Sequence, residues 1–271
     1  MGHGPADALL FASLAADNAA PFYRALVDYL SERLSWPMRM LDEVPWQERE
    51  RRLYRGQAHL GLVCGLQYVY SVERDEQPGV ELLAAPVMSG QRYDGRPIYF
   101  SDVVVGQEHA AGCFEELAGA RYTFNERTSQ SGYGVVRYAL AQRGHSSRFF
   151  SSVSESGAHQ RSLQWIATGV VDASAIDSTV FETELRRWPE LRSRVKVLAT
   201  LGPSPIPPLV VSRLLAPQLI ADMRDALLTM RGSARGRAVL AQGAMERFVP
   251  VDDRDYEPIR AMQRMAAQTT L

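Results

Sequence analysis

Leu53-Tyr-Arg-Gly-Gln-Ala-His-Leu-Gly-Leu-Val-Cys-Gly65 superposes without a gap on Ile166-Ala-Thr-Gly-Val-Val-Asp-Ala-Ser-Ala-Ile-Asp-Ser178. Gly56 falls on Gly169, each placed to end a helix, and each is followed by a run of small and apolar residues and then a short polar turn. The match covers few positions, so chance similarity and duplication of a structural unit both stay open. Under duplication the chain holds two similar α/β lobes, and the cleft between two lobes is the natural place for a small ligand.

The pattern extends outward from this pair. Residues 8–14 read as a short apolar strand, with Asp17 and Asn18 as cap candidates ahead of Pro21. Phe22, Ala25, Leu26, Tyr29 and Leu30 then recur at helical spacing. Residues 38–41 give a second strand and Trp46–Tyr54 a second helix, and 59–65, 81–88, 98–105, 193–201 and 207–212 give further strands. The tail turns helical over 217–230 and 234–242. Strands alternating with helices predict an α/β protein with mixed, mostly parallel sheets flanked by helices.

Composition narrows the chemistry. The 271 residues are 46% hydrophobic and 23% charged, enough for one large domain or two smaller ones. A net charge of -1, from 30 basic and 31 acidic side chains, offers no global field for nucleic acid or an anionic membrane. Lys196 is the only lysine, which removes P-loop and Schiff-base chemistry. Cys64 and Cys113 make no disulfide framework, and the five histidines, at 3, 59, 109, 145 and 159, form no metal-binding pair. No cofactor motif is present. No apolar run is long enough to span a bilayer, and the amino-terminal residues show no basic leader with a long apolar segment.

Uncommitted hydrogen-bonding groups cluster at two helix starts. Thr128, Ser129 and Ser131 precede a helix that runs to Gln142, and Ser156-Gly157 precede another with His159 in its first turn. Helix N-termini leave N–H donors unpaired and carry partial positive charge, so they can hold an oxyanion without lysine or metal. Each serine can equally be a plain N-cap. His159 can be structural or an anion donor. Asp177 ends the following strand, where open α/β sheets place ligands, or it caps the next helix; Asp172 reads as structural. Asp17 and Asn18 occupy a strand-to-helix loop of the same type, Trp46 starts the second helix and Tyr99 opens the strand at 98–105.

With these motifs in order, the sequence resembles the phosphonate-type periplasmic substrate-binding proteins of ABC transporters. The resemblance spans most of the chain and rests on LYRGQAHLGLVCG, on GRPIYFSDVVV with LAGARYTFNERTSQSGYG, on SGAHQRSLQWIATGVVDASAIDS and on PSPIPPLVVSRLL. It implies a two-lobed, type II periplasmic-binding-protein fold with lobe 1 from 1–98 and 207–271 and lobe 2 from 99–206. The family's Ser-Thr-Ser-Gly-like turn grips a phosphonate or phosphate-like head group, which implies that role for Ser129, Gln130 and Ser131. Ser156-Gly157-Ala158-His159 match its Gly-Ser-His-like segment and Asp172 and Asp177 its acidic strand motif, and Asp17, Asn18, Trp46 and Tyr99 are expected to complete the site from the other lobe. Gln130 departs from the common threonine, Cys64-Gly65 stand where an aromatic often lines the pocket, and Gln160 lacks the charge that holds an ammonium. The expected ligand is a small oxyanion without an amine, and the expected partner an ABC permease. The chain is expected to be monomeric, without cofactor or metal, and not an enzyme. Location is expected to be periplasmic if a leader was removed and cytoplasmic otherwise. The rival readings are an enzyme using His159 as acid/base with Cys64 as nucleophile, and a cytoplasmic ligand sensor on the same scaffold.

Overall fold

The structure, a computed structural model, describes residues 8–74, 79–145 and 147–271. The first seven residues, where the segment read for a leader begins, lie outside the described residues. The chain divides into two units, one ending at Pro97 and resuming over Ile206–Asp255, the other formed by Ile98–Pro205 and Tyr256–Leu271.

The first unit opens with β1 (Leu9–Ser13), a one-turn 3-10 segment at Asp17–Ala19 and α1 (Ala20–Leu34). Next come β2 (Met38–Met40), α2 (Trp46–Tyr54), β3 (Leu60–Leu62), α3 (Gly65–Glu73) and β4 (Val80–Met88). Pro21 starts α1, where its missing N–H is harmless, and Phe22, Leu26 and Leu30 line the face that α1 buries.

The second unit runs β5 (Ile98–Gly106), β6 (Arg121–Phe124), a π-turn (Gln130–Gly134), α4 (Val135–Gln142), β7 (Ser152–Glu155), α5 (His159–Ala167), β8 (Ala173–Asp177), α6 (Ser178–Arg187) and β9 (Val195–Pro205). The chain then returns to the first unit through β10 (Leu209–Ser212), α7 (Pro217–Leu228), α8 (Ala234–Gln242) and β11 (Met245–Val249). It finishes in the second unit with α9 (Glu257–Met265).

The internal echo maps onto matching elements. The shift that sets Leu53 on Ile166 also sets the last residue of α2, Tyr54, on the last residue of α5, Ala167. It sets β3 on the first three residues of β8, and the first residue of α3, Gly65, on that of α6, Ser178. Gly56 and Gly169 follow their helices at φ 69° and 72°, the left-handed conformation that ends a helix and disfavours other side chains. Strand orders agree as well. β10-β3-β1-β2 in the first sheet and β5-β8-β6-β7 in the second share one sequence of antiparallel, parallel and parallel pairings.

The sheets are less parallel than the alternation suggested. β10, which brings the chain back into the first unit, and β5, which brings it into the second, each run antiparallel to both neighbours, and β11 is antiparallel to β4. Both sheets are therefore mixed, with the parallel pairings confined to the βαβ portions.

The carboxyl-terminal segment corrects the expected division. Residues 256–271 were expected with the first lobe, yet they belong to the second unit. Arg137 of α4 donates from Nε to the Thr269 carbonyl at 2.7 Å and from Nη2 to the Ala266 carbonyl at 2.6 Å. Met262 and Leu271 pack on the same apolar cluster as Phe124, Val136 and Leu140. No periodicity in the tail carries this information, because the partner groups are backbone carbonyls that any sequence supplies.

Candidate functional site

In the second unit the chain leaves β6 toward β7 on one side and leaves the neighbouring β8, through α6, toward β9 on the other. Connections that leave adjacent parallel strands in opposite directions open a crevice at their carboxyl ends, the usual ligand position in such sheets. The segment that follows β6 carries both the Thr128–Ser131 hydroxyls and the link to the second hydroxyl-bearing stretch.

The two segments meet. Ser131 Oγ lies 3.0 Å from His159 Nε2 and 3.3 Å from Ser129 Oγ, and Ser129 Oγ accepts the Gly132 N–H at 3.1 Å. Ser129, Ser131 and His159 are all buried. The first turn is a π-turn whose early amides precede regular helical bonding, and no side chain caps α5 at its own start. Burial lowers the His159 pKa from 6.5 to about 4, so the ring is neutral at neutral pH. One ring nitrogen faces Ser131, while Nδ1 is buried with no partner among the described residues. Thr128 Oγ1 is likewise buried and unpartnered. Polar atoms left this way are uncommon in folded proteins and mark places where a partner is missing.

Tyr122, which the sequence reading passed over, fixes the turn. Its hydroxyl donates to the Gly132 carbonyl at 2.8 Å and accepts the Ala175 N–H at 3.1 Å, tying the π-turn to β8, and burial pushes the phenol above its ordinary pKa. Its signal in the sequence was only an alternating strand position, indistinguishable from core. Tyr122→Phe is expected to lower unfolding free energy by about 1–3 kcal/mol, because two buried backbone groups lose their partner. A denaturant titration showing an unchanged midpoint would remove this role.

Several expected site residues have other work. Gln130 is fully buried and points to α9 and β9: its Nε2 lies 3.1 Å from Met262 Sδ and 3.5 Å from Ser204 Oγ. It packs the carboxyl-terminal helix, because alternate residues of a tight turn face opposite ways. The Ser156 hydroxyl is used internally, bonding the Phe124 carbonyl at 3.1 Å, the Ala158 carbonyl at 3.0 Å and Ser162 Oγ at 2.7 Å. Asp177 caps α6, with Oδ1 accepting Thr179 N–H at 2.8 Å, Val180 N–H at 3.4 Å and the Thr179 hydroxyl at 2.7 Å. Burial raises its pKa from 3.8 to about 6 against those bonds, with the nearby Asp102 adding to the rise. Asp172 pairs with Arg121 at 2.7 Å, as its structural reading expected.

In the first unit, Asp17 is exposed and Asn18 half-buried in the 3-10 turn after β1, the position equivalent to the π-turn after β6. Trp46 is half-buried at the first position of α2, which corresponds to His159 at the first position of α5. Tyr99 does not belong there: it is a buried residue of β5 in the second unit, opposite Ser204 of β9. Cys64, the nucleophile of the enzyme reading, caps α3 in a capping box with Gln67, whose Oε1 accepts the Cys64 N–H at 3.0 Å. Among the described residues no group of His, Cys, Asp and Glu could hold a metal, and no helix is long and apolar enough to cross a membrane.

Two mixed α/β units with matching strand orders, one bearing buried hydroxyls beside a neutral histidine, define the type II periplasmic-binding-protein class. Within it, a sequence model of the ABC-transporter phosphonate periplasmic substrate-binding proteins matches residues 10–256, and the chain belongs to that family. Among solved structures it is similar to PhnD1 of Prochlorococcus marinus in complex with methylphosphonate, at 18% identity and a TM-score of 0.84 over 96% of this chain and 98% of that one. A binding component of a Pseudomonas aeruginosa ABC phosphonate transporter gives 17% identity and 0.83, covering 96% and 86%. A Xanthomonas citri protein bound to ATP gives 14% and 0.74, covering 97% and 98%. At these identities the structural likeness speaks to fold. Family membership makes the chain a substrate-binding component of an ABC transporter and implies a permease partner and a periplasmic setting.

Proposed function

We propose that the protein captures a small phosphonate-, phosphite- or phosphate-like oxyanion, with Ser129, Ser131 and His159 gripping the head group. The observation that carries this reading is the Ser131–His159 contact, which joins two helix starts into one buried cluster of neutral donors. Uncharged donors suit a carrier that must release its cargo: each charge-assisted bond contributes about 1.5–3 kcal/mol, so a few of them reach the −8 kcal/mol or so of micromolar binding. The ligands bound in two similar structures, methylphosphonate and ATP, share a phosphorus oxyanion.

Asp17, Asn18 and Trp46 are proposed as the first unit's contacts, on the ground that they occupy positions equivalent to the π-turn and to His159. No bond is made or broken in this reading, and the carrier acts as a monomer.

The test is titration calorimetry with methylphosphonate, phosphite and inorganic phosphate. Saturable heat from at least one is expected. Absence of heat from all three, in protein whose unfolding transition is cooperative, overturns the oxyanion reading and leaves the fold and family standing.

A further inference from the structure

Asn125 follows the last residue of β6, and its backbone holds the second hydroxyl-bearing segment: its carbonyl accepts the Gly157 N–H at 2.8 Å, just as the Phe124 carbonyl accepts the Ser156 N–H at 2.8 Å. Its side chain turns to the first segment. A Cβ on Gly132 would collide with Asn125 Oδ1 and stand 3.3 Å from both Cγ and the Asn125 backbone nitrogen. Gly132 is the residue whose N–H reaches Ser129 Oγ. The carboxamide therefore rests on the backbone of the turn that carries the proposed grip, and only glycine leaves room for it there.

This side chain is only 9% exposed and has no hydrogen-bond partner among the described residues. Oδ1 is closed off from solvent, whereas the amide nitrogen is not among the closed-off orphans. An apolar residue would fill the same space without the cost of an unpaired amide. A carboxamide at this spot is accounted for if its partner arrives with the ligand.

We propose that Asn125 is a further ligand-binding residue, its side-chain N–H donating to an oxygen of the oxyanion held by Ser129, Ser131 and His159. The inference rests on the oxyanion reading above. It also makes Asn125 a selector of charge, since an amide donates to an anionic oxygen while a carboxylate of the same shape repels it.

The experiment compares Asn125→Asp, Asn125→Ser and wild type by calorimetry with methylphosphonate, or with phosphite or inorganic phosphate if that binds wild type more tightly. Thermal midpoints are recorded alongside. Asn125→Asp is expected to lose at least about 100-fold in affinity, through a lost donor and an added like charge, and Asn125→Ser roughly tenfold. Affinity within twofold of wild type in Asn125→Asp, with Ser131→Ala binding abolished in parallel, overturns the proposal and leaves the oxyanion reading intact. Should Asn125→Asp lack a cooperative transition, Asn125→Ser decides alone: an unchanged affinity overturns the proposal, and a tenfold loss at a retained midpoint supports it. Wild type that binds none of the three overturns both.

Discussion

Replacing Ser129 and Ser131 together by alanine is expected to abolish oxyanion binding, with affinity falling by about 10²- to 10⁴-fold. Each hydroxyl that donates to an anion contributes about 1.5–3 kcal/mol, and two such losses multiply. Ser131→Ala should account for the greater share. It removes one donor and also strips His159 Nε2 of its 3.0 Å partner, leaving the ring free to turn from its donor geometry. Ser129→Ala should act partly through the fold, because Ser129 Oγ accepts the Gly132 N–H; loss of such a cap costs about 1 kcal/mol. Calorimetry with the best-binding of the three oxyanions, run beside denaturant titrations, separates the two contributions. Binding of the double variant within fivefold of wild type would place the grip elsewhere.

The second large effect concerns stability against pH, where two buried groups oppose each other. His159 has a folded pKa of about 4, below its ordinary 6.5, so the unfolded chain takes up this proton first. Its contribution to stability is present above pH 6.5 and is lost as pH falls through about 4. Asp177 has a folded pKa of about 6, above its ordinary 3.8, so the folded chain takes up that proton first. Its contribution is present below pH 3.8 and is lost as pH rises through about 6.

Each contribution is on the order of 3 kcal/mol, and their pH windows overlap with opposite sign. Wild type should therefore show little net dependence from this pair between about pH 4 and 6. Asp177→Asn keeps a side chain suited to capping α6 and removes one arm, so its stability should fall by about 3 kcal/mol on acidification from pH 6.5 to 4 relative to wild type. His159→Gln removes the other arm and should become relatively more stable over that range. Unfolding free energies measured at half-unit steps would test this, and parallel profiles for all three proteins would sink it.

The positions that proved legible were those where a local rule applies. Gly56 and Gly169 were readable as helix ends because a left-handed residue after a helix favours glycine, and both have positive φ. The starts of α2, α5 and α8 and the strand at 81–88 followed from periodicity and turn chemistry. At the site, Ser129, Ser131 and His159 were readable as hydroxyls and a histidine at helix starts, and their convergence at 3.0–3.3 Å accords with that reading.

What local rules do not contain is direction. Gln130 sits between two serines of the grip, yet a tight turn sends it toward Met262, more than a hundred positions away in the sequence. Ser156 and Asp177 carry the right chemistry for a ligand and spend it on the backbone around them, a choice set by a rotamer and by the nearest donor. Tyr122 and Asn125 looked like strand and loop filler until β8 and Gly132 were placed against them.

Sequence by itself determined the alternating α/β composition, the family and the residue types able to hold an anion, and it offered the internal echo that the matching strand orders then supported. These depend on neighbours along the chain. Tertiary structure alone decided which sheet pairings run antiparallel, which unit takes residues 256–271, and which hydroxyls remain uncommitted. Those outcomes turn on hydrogen bonds to backbone groups that every residue carries, so the identity of the side chain leaves them open until the fold brings the partners together.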